Sequence, residues 1–127
     1  MQGSPDREAA VAVVAKQYYA AMLGADGDRL KDLFHPMAII VGHFGGELEQ
    51  STLEAFIAST PDARTGEGPF ECRVDNMVLV GDIAVITLGG YSYGHWFSDH
   101  LSLVEIEGQW RIVSKTFFCH PGKGEGH

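Results

Sequence analysis

The sequence predicts an α+β domain in which N-terminal helices pack on a curved, mixed, mainly antiparallel β-sheet and enclose a pocket. Three observations lead there. Apolar residues recur at three- and four-residue spacing in the first part of the chain. Strand-like runs separated by two-residue turn signals fill the stretch from Phe70 to His120. When those turns are used to set the pairing of the strands, apolar and small residues collect on one face, as a face under helices requires.

The elements follow in order. Ser4, Pro5 and Asp6 combine an N-cap oxygen, a proline whose missing N–H is harmless at a first helical position, and an acid near the positive helix end. The helix they open carries Val11, Val14, Ala15, Tyr18, Ala21, Met22 and Ala25 on one stripe, with Tyr19 at its flank. Gly24 ends it, and Asp26 or Asp28 caps a short second helix that turns Leu30, Leu33 and Phe34 inward and stops at His35-Pro36. Met37 to Phe44 reads as a strand, Gly45-Gly46 as a turn and Glu47 to Gln50 as a short return strand. Ser51 and Glu54 have capping-box spacing for a third helix with Leu53, Phe56 and Ile57 inside. Pro61 to Pro69 reads as a polar loop.

The remaining runs are joined at Gly81-Asp82, Gly94-His95 and Glu107-Gly108. Counting back from these turns pairs Leu103 with Ile112, Leu101 with Ser114, Asp99 with Thr116 and Phe97 with Phe118. Ala84, Ile86, Leu88, Gly90 and Ser92 join that inner face. The outer face then holds Tyr91, Tyr93, Trp96, Ser98, His100, Val113, Lys115 and Phe117. A break in alternation between Val74 and Met77 places a bulge near Asn76, and Gly89-Gly90 also bends the sheet. A bent sheet under helices encloses a concave pocket, where small ligands commonly sit.

Composition narrows the function classes. A chain of 127 residues fits one domain, expected to span 1–127 with an ordered core of about 5–121 and frayed ends. The net charge of −8 disfavours nucleic acid and anionic membranes. Cys72 and Cys119 fit neither a disulfide framework nor a zinc spacing, and the histidines show no ligand spacing, so neither a metal nor a cofactor is expected. Ala9 to Ala15 is too short to span a bilayer and lacks a basic flank, so the expected location is cytoplasmic.

Asp99 stands out, because a carboxylate in phase with Phe97, Leu101 and Leu103 is costly unless paired, protonated or open to a pocket. Gly90 opposite it would leave room for a ligand atom. The plain structural alternative is a buried Asp satisfied by Thr116, Ser114 or a water. Tyr18 reads as a packing residue whose hydroxyl needs a buried partner. If Tyr18 and Asp99 converge they can donate to one carbonyl or enolate oxygen, with His43 as a base, although strand parity beside Ala38, Ile40 and Gly42 also allows His43 to point outward. Tyr91, Tyr93 and Trp96 would make an exposed aromatic patch of the kind that marks a partner surface.

The Tyr18-to-Phe34 stretch YYAAMLGADGDRLKDLF, His35-Pro36 before a strand, and the ending FSDHLSLVEIEGQWRIVSKTFF together resemble the nuclear transport factor two-like superfamily. The resemblance runs from Asp6 to His120 and is nearest to the branch named "putative lumazine-binding", related to polyketide cyclases and ketosteroid isomerase. It implies a cone-shaped fold and a homodimer through the open sheet face, here Tyr91, Tyr93, Trp96 and Phe117. It also implies that Tyr18 and Asp99 stand where the isomerase has its oxyanion-hole tyrosine and protonated aspartate, an isomerase that serves as a general example of a neutral carboxylic acid. The isomerase's base position falls on Gly42, next to His43.

The expected function is therefore binding of a flat aromatic or polycyclic small molecule in a pocket lined by Tyr18, Met22, Phe34, Asp99, Trp110, Ile112, Thr116 and Phe118. The alternatives are a cofactor-independent isomerase, cyclase or dehydratase using Asp99, Tyr18 and His43, and a protein-interaction adaptor.

Overall fold

The computed structural model describes residues 5–60, 71–92 and 94–121. The expected Ser4 cap, the Pro61–Pro69 loop, Tyr93 and both chain ends lie outside the described residues. Helix α1 spans Pro5–Leu23 and α2 spans Gly27–Leu33; β1 is Phe34–Phe44, β2 is Glu47–Thr52 and α3 is Leu53–Ser59. Four long strands follow, β3 (Glu71–Val80), β4 (Ile83–Ser92), β5 (His95–Ile106) and β6 (Gln109–Cys119). They form one sheet in the order β2-β1-β6-β5-β4-β3. Every neighbouring pair is antiparallel except β1 with β6. The fold is thus helices over a mixed, mainly antiparallel sheet, as expected from the sequence.

The local chemistry explains the elements. Val11, Ala15, Tyr18 and Met22, each three or four residues apart, are all buried against the sheet. Asp26 caps α2 by accepting from the Arg29 N–H at 3.1 Å. The α3 cap is Thr52, whose Oγ1 accepts from Ala55 N–H at 3.2 Å, and Ser51 lies one residue outside it on β2. Arg7 fixes the start of α1 to the far end of the sheet: it pairs with Glu105 at 3.1 Å, donates to the Gly81 carbonyl and covers the Trp110 ring at 5.4 Å. Among the described residues, no helix is long and apolar enough to cross a membrane.

Register decides which residues face the helices. The expected turns at Gly45-Gly46, Gly81-Asp82 and Glu107-Gly108 are present, and the glycines take the left-handed φ that these turns demand. The third hairpin turns one residue earlier than expected, since Ser92 pairs with His95. Partners across β4 and β5 therefore shift by two, with Gly90 opposite Phe97 and Leu88 opposite Asp99, but every inner residue stays inner. The irregularity in β3 lies between Val74 and Asn76, beside the expected bulge.

The pairing of β5 with β6 departs further. Leu103 faces Ile112 as expected, but the next pair is Ser102 with Ser114, which leaves Val113 as an extra residue. One inserted residue exchanges the two faces of everything beyond it. Leu101 now faces Lys115 and Asp99 faces Phe117, so Lys115 and Phe117 point under the helices. Thr116 and Phe118 point away, and Phe118 is 48% exposed. The expected outer patch changes as well. Phe117 belongs to the inner face, and Trp96 is buried beneath the Arg73 guanidinium, 4.7 Å above its ring, with Tyr91 alongside.

Candidate functional site

A cavity of about 410 Å³ opens between α1, α3 and the concave face of the sheet. Helix α1 contributes Tyr19 and Met22, α3 contributes Phe56 and Ser59, and Thr60 follows α3. Strands β1 and β2 supply Ile40, Phe44, Glu49 and Ser51. The floor is Phe97 and Asp99 from β5 with Lys115 and Phe117 from β6. The wall is mainly apolar, as small-molecule sites usually are, with a few convergent polar groups.

Asp99 is the anchor of the polar set. It is buried at 4% exposure, and its Oδ2 accepts the Tyr18 hydroxyl at 2.7 Å. The Tyr18 hydroxyl also lies 3.6 Å from Met22 Sδ, a much weaker acceptor than a carboxylate. Tyr18 is fully buried and edge-on to Phe34, which in turn packs on Phe56, so its ring cannot swing without disturbing the core. A tyrosine bonded to the aspartate directs its one proton there. Tyr18 therefore orients Asp99 from behind, and the two do not stand as parallel donors aimed at one ligand oxygen.

Lys115 is the residue the sequence reading missed, because the Val113 bulge turned it from the outer face to the inner one. Its Nζ lies 4.5 Å from the Phe56 ring centroid and 5.2 Å from those of Tyr18 and Phe117. Met22 Sδ, at 3.9 Å, is its weak hydrogen-bond partner. Among the described residues no carboxylate oxygen pairs with it directly, although Asp99 and Glu49 act on it through space. Burial pushes its pKa below the ordinary lysine value of 10.5, and the fields of Asp99 and Glu49 only partly oppose that. A signal was available: Ile112-Val113 breaks strand alternation just as Val74 to Met77 does, and a bulge there predicts the exchange of faces.

The other expected site residues divide clearly. Met22 lines the cavity. Phe34 and Ile112 are fully buried core residues behind the wall, and Trp110 sits under Arg7 at the other end of the sheet. Thr116 and Phe118 are on the opposite face, for the register reason given above. His43 is exposed and pairs in register with Leu48 and Phe118, outside the cavity wall, so it is not placed to act as a base there.

Two glycines let residues of the cavity wall pack closely against the sheet. A Cβ at Gly90 would collide with the Tyr19 hydroxyl and ring, so the space left by this glycine is filled by Tyr19 and not open to a ligand. A Cβ at Gly42 would collide with the Phe117 carbonyl oxygen and ring. No carboxylate can be carried at position 42 while β1 and β6 keep this separation. Among the described residues no cluster of three metal-ligating side chains occurs.

The family model described as "Putative lumazine-binding" matches residues 6–118. The chain belongs to that family. It is 28% identical over 117 residues to a protein named Aldolase FrzH from Cladobotryum sp, covering 88% of this chain and 90% of the relative. A solved NTF-2 like protein of unknown function from Silicibacter pomeroyi superposes with a TM-score of 0.84 at 33% identity, covering 91% and 97% of the two chains. A ketosteroid isomerase-like protein from Erwinia carotovora atroseptica superposes with a TM-score of 0.72 at 11% identity, covering 94% and 100%, a likeness of fold alone. The lumazine-binding family member described here is thus a nuclear transport factor two-like protein.

Proposed function

We propose that this chain holds a flat, neutral, mainly apolar carbonyl compound in the cavity and moves a proton beside its carbonyl group without a cofactor. The observation that carries this reading is the Tyr18–Asp99 hydrogen bond of 2.7 Å at the floor of an apolar cavity that also receives Lys115. Asp99, oriented by Tyr18, is the group that takes the proton from the carbon next to the carbonyl. Negative charge then develops on the carbonyl oxygen, and a cationic Lys115 in a water-poor cavity favours it much more than it would in water. Isomerisation, cyclisation, dehydration and aldol chemistry all pass through such an enolate. The aldolase name of one relative supports the reaction class, and the family's description supports a flat ring system as ligand.

Neutrality of the ligand follows from the charges. Among the described residues lining the cavity, Asp99 and Glu49 stand against the single cation of Lys115, so an anionic compound is disfavoured. A cavity of about 410 Å³ accommodates a compound of one to three rings.

Benzylacetone in deuterium oxide tests the reading. The protein should speed exchange of the protons beside the carbonyl, followed by NMR, and Asp99→Asn should return the rate to that of buffer while the ketone still binds. A ketone that binds without any accelerated exchange would leave a binding protein and remove the catalytic reading.

A homodimer is the second part of the proposal. On the outer face Val78 pairs with Val85 and Val80 with Ile83, all four exposed, with Ile39 and Phe118 on the same side. A second copy seated on this face would bury that patch. Val85→Glu should give a monomer by light scattering; a wild-type chain that is already monomeric at micromolar concentration would overturn the dimer.

A further inference from the structure

We propose that Lys115 acts covalently: its Nζ condenses with the carbonyl carbon of the bound compound to form an iminium ion. The inference rests on the carbonyl-binding reading above and adds a bond to it. Its first support is placement. Lys115 lines the cavity from β6, and Asp99 lines it from β5, two register positions away on the same face. The second is the lack of anything that would hold an ammonium group. Three N–H donors meet three aromatic rings and one thioether sulfur, and among the described residues none meets an oxygen acceptor. Aromatic faces attract a cation, but they do not replace its hydrogen bonds. Burial lowers the cost of giving up the ammonium proton, which must leave before the nitrogen can attack. Desolvation in an apolar pocket is a general way of making a lysine nucleophilic.

The step balances without an oxidant or reductant. The ammonium proton passes through a solvent water in the cavity to Asp99, the freed amine lone pair attacks the carbonyl carbon, and the carbon–oxygen π bond breaks. The oxygen takes the proton back from Asp99 and then the second amine proton by the same route, and leaves as water when the carbon–nitrogen double bond forms. Ammonium plus carbonyl becomes iminium plus water, with the charge unchanged. Asp99 is again a carboxylate, now beside an iminium whose neighbouring carbon is far more acidic than that of a ketone. Removing that proton gives a neutral enamine.

The full chain at neutral pH with benzylacetone and cyanoborohydride tests this, because hydride addition to the iminium carbon fixes the adduct. Peptide mapping should place the adduct on Lys115, formed severalfold faster there than on Lys16, Lys31 or Lys123. Lys115→Arg keeps a cation among the rings but cannot condense, and should lose that fast adduct while saturation-transfer NMR still detects bound ketone. Bound ketone with adducts only on the other lysines, at equal rates in wild type and variant, would overturn the covalent role and leave the carbonyl-binding reading standing. A wild-type protein that neither binds benzylacetone nor forms the adduct would overturn both.

Discussion

Asp99 and Lys115 face one cavity from adjacent strands, two register positions apart, and do not form an ion pair. Direct pairing would neutralise both and leave neither available to a ligand. Here Asp99 is held by Tyr18 and Lys115 by rings, and both line the cavity. The separation has consequences for stability as well as chemistry.

Tyr18→Phe removes the hydrogen bond to Asp99 while keeping the ring. A buried hydrogen bond to a charged group contributes about 1.5–3 kcal/mol, so urea unfolding should show a loss of that size. Exchange of benzylacetone should slow less than in Asp99→Asn, because the proton acceptor remains and only its orientation is loosened.

Lys115→Met should stabilise the protein at neutral pH, and the advantage should shrink as pH rises. The folded pKa of Lys115 lies below the ordinary 10.5. Between those two values the unfolded chain holds a proton that the folded chain has released, so wild-type stability rises with pH across that window. Paired urea titrations at neutral pH and near the ordinary lysine value check this; a constant difference would contradict it.

Gly42→Ala and Gly90→Ala should separate sharply. At Gly42 the added methyl meets the Phe117 backbone oxygen, so β1 and β6 must move apart. At Gly90 it meets the end of the Tyr19 side chain, which can rotate away toward the cavity. Overpacking costs about 1–3 kcal/mol, and thermal unfolding should show that range or more for Gly42→Ala. Gly90→Ala should cost less stability but narrow the cavity, read as weaker binding of benzylacetone.

Cys72 titrates in the opposite sense. Burial, with the field of Asp99 second, pushes its thiol from 9.0 up to about 11. The unfolded chain therefore loses this proton first, and stability falls as pH rises from 9 through 11. Cys72→Ala should remove that part of the alkaline decline in urea titrations. The same thiol should react slowly with Ellman's reagent at neutral pH, since the thiolate is the nucleophile.

Much of this was legible in the sequence because the errors were of a forgiving kind. Placing the β4–β5 turn one residue late moved partners by two, and a strand repeats every two, so Ala84, Ile86, Leu88, Asp99 and Leu101 kept their face. Helix period and strand parity put Tyr18 and Asp99 each on an inner face, and the family resemblance put the two in one site. The single residue Val113 had the opposite effect. It exchanged Lys115 and Phe117 for Thr116 and Phe118, and so moved the one buried cation of the site out of view. The apolar run through Ile112 and Val113 suits either face, which is why alternation gave no warning strong enough to outweigh a well-placed turn. Trp96 was misjudged for another reason: a long arginine from β3 can cover an indole on the open side of a sheet, and sequence parity carries no information about that.

The parallel pairing of β1 with β6 sets when the site comes into being. Phe34 finds Ile112, and Val41 finds Thr116, only after the whole intervening chain has been arranged. Contacts of such wide sequence separation are slow to form, because loop closure must precede any reward. The α1–α2 hairpin can gather early through local contacts, but Lys115 reaches the cavity with the central strand that joins the two halves of the sheet. A nascent chain would therefore hold a partly collapsed helical layer with an open sheet edge at β1 until β6 docks. Completion of the sheet and appearance of a competent pocket should be one kinetic event, so that recovery of ligand binding during refolding tracks the slowest phase and never precedes it.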